Sequence, residues 1–158
     1  MRLGFAVKRL WIGSMVSDES IMQEAIRLVS EGVSVTFPVN GRSMLPFIVG
    51  GEDSVVLVKP ETLKVGDVVL ALVEGGRYVV HRIVCLDGDA VTLMGDGNLA
   101  GREHCRLADV RARATHVVGK GGKRRSLDSL GSRLAAKIWF AVLPFRRWLL
   151  AIYRRIPI

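Results

Sequence analysis

Ser43 and His81 are the two residues of this 158-residue chain whose surroundings suit acyl-transfer chemistry. Ser43 stands in Asn40-Gly41-Arg42-Ser43-Met44-Leu45-Pro46, directly after the alternating run Val33, Val35, Phe37, Val39, which reads as a strand. Gly41 allows close backbone approach and Pro46 fixes φ just beyond, so the strand hands the serine to a stiff corner. A hydroxyl is a weak nucleophile near neutral pH and needs a base within hydrogen-bond reach. His81 is the candidate base. Alternation along its strand puts it with Val79, Ile83 and Cys85 on one face, and Tyr78, Val80, Arg82 and Val84 on the other. A histidine in such apolar company also fits an ordinary core position.

The elements that must bring these two groups together are short. From Val33 onward the chain runs in β-branched stretches bounded by Gly, Asp and Pro, at 33–39, 54–58, 66–73, 77–84, 90–94 and 109–118. Gly75-Gly76 and Asp87-Gly88-Asp89 are hairpin signals between them. The expected fold is therefore mainly β, a small coiled antiparallel sheet or barrel over 33–118. An N-terminal helical segment occupies 1–32: Leu3, Val7, Leu10 and Trp11 recur at helical spacing, and a second helix is capped by Ser17 or Asp18 and stopped by Gly32. A basic linker is expected at 119–131, followed by an amphipathic helical segment at 132–158 that Pro144 should break near Leu143.

Charge separates the body from the tail. Net charge is +8, but residues 120–158 alone carry +9, from ten Lys or Arg against Asp128, which leaves −1 for the first 119 residues. Ile138, Val142, Phe145, Leu149, Ile152 and Ile156 form one apolar stripe there, with Arg133, Lys137, Arg147 and Arg154 on another face. Interleaved apolar residues suit an anionic membrane surface better than nucleic acid, so no nucleic-acid partner is expected. The same stripe could instead dock on the body or a partner subunit.

Two cysteines, Cys85 and Cys105, exclude a disulfide scaffold, and neither belongs to a metal-type C-x-x-C pair. Three scattered histidines give no metal site, and His104 and His116 read as surface or packing residues. No cofactor is expected. Residues 1–16 lack a clean apolar run and cleavage site, and no uncharged apolar stretch reaches the ~18 residues of a transmembrane helix. Cytoplasmic, peripheral membrane attachment is the expected location.

Four short boxes in order, Gly41-Arg42-Ser43-Met44-Leu45-Pro46, Gly66-Asp67-Val68-Val69, His81-Arg82-Ile83-Val84 and Gly95-Asp96-Gly97-Asn98, resemble the signal peptidase I superfamily over residues 33–118. The likeness is to its archaeal and endoplasmic-reticulum type, in which histidine takes the place of the bacterial lysine base. The resemblance implies that Ser43 is the nucleophile and His81 the general base, with Asp96 as the acid that orients the imidazole. In the reticulum type that acid lies several residues past the Gly-Asp box, so Glu103 and Asp109 remain alternatives. Met44 and Pro46, flanking the serine, are expected to contact substrate. Gly41 stands where some bacterial relatives carry a second serine as oxyanion donor. Members usually carry a transmembrane anchor before the serine box, so this chain looks more like compact, anchorless members. The family also contains self-cleaving repressors, but those use a Ser-Lys pair, and 42 residues before Ser43 leave little room for a DNA-binding domain.

The function expected on these grounds is a serine endopeptidase cutting a leader or precursor peptide at a membrane surface. The alternative is a catalytically idle module of the same fold, attached peripherally to membrane. Oligomeric state is left open by the sequence.

Overall fold

The computed structural model describes residues 8–9 and 18–155. Helix α1 spans Asp18–Ser30, with Asp18 and Glu19 at its positive end and Ala25, Leu28 and Val29 buried. It ends in a Schellman motif: Gly32 N–H donates to Val29 O at 2.9 Å and Val33 N–H to Leu28 O at 3.0 Å. Gly32 sits at φ 86°, which explains the glycine.

Nine strands follow the chain in order: β1 Lys8–Arg9, β2 Val35–Pro38, β3 Ser54–Val58, β4 Val68–Val73, β5 Arg77–Asp87, β6 Ala90–Met94, β7 Glu103–Arg106, β8 Val110–Val118 and β9 Arg124–Ser126. They form one sheet in the order β1-β2-β3-β8-β4-β5-β6-β7, with β9 on β8. Every pairing is antiparallel except β1 with β2. The fold is thus mainly β, as the sequence implies. Residues of β2 and β5, with three strands between them on that path, line a common cavity, so the sheet is strongly curled.

The uninterrupted apolar run of β4 has a direct cause, because both its faces are buried. Val68 and Leu70 join a core with α1, Val55, Leu57 and Ala112, whereas Val69 and Ala71 join a second core with Ile83 and Leu93. Each fully enclosed side chain of this size contributes about 1.5–3 kcal/mol.

Three local readings change. Polar Glu103–Arg106 pairs with β6, although it has no alternating apolar signal. The stretch taken as linker folds back instead: Gly119 N–H donates to Lys123 O at 2.9 Å, and Arg124–Ser126 pairs with β8. Lys8–Arg9 pairs with Val35–Thr36, while the rest of the helix expected around Leu3 to Trp11 lies outside the described residues.

Helix α2 spans Leu130–Ala141, capped by Ser129, whose hydroxyl accepts from Ser132 N–H at 3.2 Å. A 3-10 turn at Leu143–Phe145 contains Pro144 and leads into α3, Arg146–Arg155. The break falls where proline demands it. Among the described residues no helix is long and apolar enough to cross a membrane.

Candidate active site

The turn carrying Ser43 is held from beneath and from the side. Gly41 adopts φ 85°, and Phe47 and Ile48 N–H both donate to Met44 O, at 3.1 and 3.0 Å. Met44 and Ile48 are buried in the α1-side core. Met44 is thus an anchor for the turn, which corrects its expected place in substrate contact. Neither Met44 nor Pro46 lines the cavity into which Ser43 opens.

From the side, the loop at 95–98 presses against the turn. Gly97 N–H donates to Ser43 O at 2.7 Å. A Cβ added at Gly95 would lie 2.4 Å from Ser43 O and 3.1 Å from His81 Nε2, and one at Gly97 would lie 2.5 Å from Arg42 O. These positions are glycine because two backbones and an imidazole edge converge there.

His81 is 5 % exposed on β5. Its Nδ1–H donates to Glu103 Oε2, and Glu103 also accepts from Arg77 Nη2 at 3.1 Å. With Nδ1 committed to the carboxylate, Nε2 is the ring nitrogen left open, at the edge beside Gly95 and the serine turn. Ser43, His81, Asn98 and Glu103 share the wall of one cavity of about 410 Å³, between residues 37–40 and Arg77–Val80. Among the described residues no hydrogen bond joins Ser43 Oγ to the ring.

Asp96 does not reach His81, which corrects the expectation that it orients the imidazole. It is wholly buried, and Arg82, the next residue on β5, grips it twice, Nε to Oδ1 at 2.8 Å and Nη2 to Oδ2 at 2.7 Å. The third arm of Arg82 donates to Gly66 O at 2.8 Å. Alternation on the strand sends neighbouring side chains to opposite faces, so the two basic residues of the His-Arg box meet different acids. Asp109, the other alternative, accepts from Arg106 N–H at 3.2 Å and caps its own turn. Asp67 accepts from Lys64 N–H at 3.0 Å within its own turn and from Arg133 Nη2 of α2 at 3.0 Å.

The C-terminal helices buttress this site, which nothing in the boxes announces. Trp139 Nε1–H donates to Asp96 O at 2.7 Å and its ring meets Phe47 edge-on at 6.0 Å between centroids. Arg146, fully buried, donates to Asn98 O at 3.1 Å and stacks on Trp139 and Phe140. Burial lowers its guanidinium from the ordinary value, Asp96 opposes the shift and Arg82 adds to it.

The remaining candidates lie elsewhere. His104 Nδ1 is 3.3 Å from Thr92 Oγ1, and His116 Nδ1 is 3.0 Å from Thr115 Oγ1. Cys85 and Cys105 are free thiols, and burial pushes the Cys105 thiol up, with Asp109 adding to the shift. Among the described residues no cluster of three His, Cys, Asp or Glu could hold a metal. No protein-family model matches this chain, and no curated protein does.

Proposed function

We propose that the protein is a serine endopeptidase that cleaves an extended leader or precursor peptide at a membrane surface, with Ser43, His81 and Glu103 as its reacting and orienting groups. One observation carries the reading: an imidazole whose Nδ1–H is taken by a carboxylate, with its other nitrogen beside the serine turn in a shared cavity. Ser43 Oγ attacks the scissile carbonyl while its proton passes to Nε2, and Glu103 stabilises the imidazolium that forms. The Ser43 N–H and the Asn98 carboxamide serve the developing oxyanion, where losing one donor costs about 3 kcal/mol. As the tetrahedral intermediate collapses, Nε2–H protonates the departing amine. Water, deprotonated by the same nitrogen, then releases the acyl group from Ser43. The serine–imidazole contact tightens when substrate enters, as catalytic hydrogen bonds often do.

Peptide access is supported by the strand edges. Among the described residues β1 pairs with Val35 and Thr36, and residues 37–40 border the cavity opposite β5. An extended peptide can pair along such an edge.

A peptide mixture incubated with wild type, Ser43→Ala and His81→Ala, each with vesicles and each checked for an unchanged melt, tests the reaction. New peptide termini are expected from wild type alone. Cleavage surviving in either variant refutes the mechanism, and none from wild type favours the idle binding module.

A further inference from the structure

Surface helices normally keep their apolar side inward, and α2 is apolar on its outward side as well. Leu134 is 59 % and Ile138 55 % exposed, while Ala136 is buried and Trp139 and Phe140 pack inward. Beyond the proline turn α3 also exposes apolar side chains: Phe145, Trp148 and Ile152 are 66, 63 and 60 % exposed, whereas Arg146 and Leu150 are buried. Beside α2 lies an apolar groove of about 710 Å³, lined by Leu134, Phe140, Val65 and Val84 together with Lys64 and Lys137.

The charge around this surface selects its occupant. Residues 129–158 hold six cations and no acid. Arg133 is paired with Asp67 and Asp128, and Arg146 is buried, but Lys137, Arg147, Arg154 and Arg155 are exposed. A second copy placed face to face would set cations against cations. Anionic headgroups over acyl chains match both features, and the Arg147 guanidinium 5.4 Å from the Trp148 ring centroid is a pairing suited to that boundary.

We infer that α2 and α3 lie with this outward face on an anionic phospholipid surface, the stripe in the acyl boundary and the four exposed cations at phosphate level. The inference rests on the membrane part of the proposed function and not on its chemistry. Because Trp139 and Arg146 hold the 95–98 loop from the other side of the same helices, docking there would fix the cleft relative to the lipid plane.

The test is sedimentation of the full chain, as wild type and as Ser43→Ala, with phosphatidylcholine vesicles with and without phosphatidylglycerol. Both proteins should bind, at least about tenfold tighter with phosphatidylglycerol and more weakly as salt rises. Phe145→Ser/Trp148→Ser/Ile152→Ser should lose tenfold or more, and Arg147→Gln/Arg154→Gln/Arg155→Gln should lose the preference for phosphatidylglycerol. Equal binding to both vesicles, full binding by the apolar triple variant, or a lipid-free dimer abolished by that variant would overturn the inference. Should the triple variant melt early, quenching of wild-type tryptophan emission by brominated lipid replaces it, with quenching expected and its absence contradicting. Cleavage is not read, so failure of the peptidase reading and failure of docking are separate results.

Discussion

Strand β5 carries two basic side chains in succession, and each pairs with a carboxylate contributed later in the chain. His81 and Arg82 are almost equally buried, 5 and 4 % exposed. The pairs differ in what they leave free. Both Asp96 oxygens are taken by Arg82, the Asp96 carbonyl by Trp139, and the remaining arm of Arg82 by Gly66 O. Glu103 engages only one ring nitrogen of His81, and its side chain is 19 % exposed beside Arg77. A buried pair in which all three guanidinium nitrogens and both carboxylate oxygens are bonded holds segments together, whereas a pair with one open nitrogen at a cavity wall can move a proton.

The largest effects should fall on the open side. Ser43→Ala and His81→Ala should each lower peptide turnover by at least about 10⁴-fold, Ser43→Ala with melting temperature unchanged. Glu103→Gln should keep the fold and lose on the order of 10³–10⁴-fold in kcat, because the amide favours the wrong tautomer. Asp96→Asn should do the reverse of Glu103→Gln, destabilising by about 3–5 kcal/mol as Arg82 loses its counter-charge, measured by urea denaturation. Were Asp96→Asn stable but inactive, and Glu103→Gln unstable, the assignment of the two pairs would be inverted.

Gly95→Ala joins the two sides and should cost both activity and stability, since its Cβ would meet Ser43 O at 2.4 Å. Thermal melting and turnover on one preparation read both. The smallest effect concerns Asp128. Burial alone would raise its carboxyl, but hydrogen bonds and charge from Arg113 and Arg133 outweigh that and hold it below the ordinary value. A lowered folded-state value adds stability above about pH 4 that is lost as pH falls through it, and solvent screening keeps the gain under about 1 kcal/mol. The wild-type melting temperature should therefore fall more steeply below pH 4 than that of Asp128→Asn.

Most of the sheet was legible because its strands are β-branched and bounded by Gly or Asp, and Gly75, Gly76 and Gly88 do sit at positive φ in the hairpin turns. β7 was not, because Glu-His-Cys-Arg has intermediate and exposed positions but no buried one, so no apolar face marks it. The choice among Asp96, Glu103 and Asp109 depends on that strand: Leu93 pairs with both Ile83 and Glu103, which sets the acid across from β5, two strands away. Register of this kind is a tertiary fact that spacing in the chain does not carry. The basic residues of β9 carry the signature of a linker, yet the strand pairs with β8 through its backbone. The apolar stripe of the tail was visible by period, but whether it faced the body or solvent depended on where Trp139, Arg146 and Leu150 found partners.

Whether His81 can take a proton from position 43 can be measured without any substrate, by alkylating a Ser43→Cys variant with iodoacetamide at neutral pH. The rate would be followed by mass spectrometry on the peptide containing residue 43, with and without His81→Ala. A thiol beside a neutral imidazole ionises more readily, so alkylation at least about tenfold faster with His81 present is the expected result. Equal rates in the two folded variants would contradict the pairing of serine and histidine on which the proposed chemistry rests.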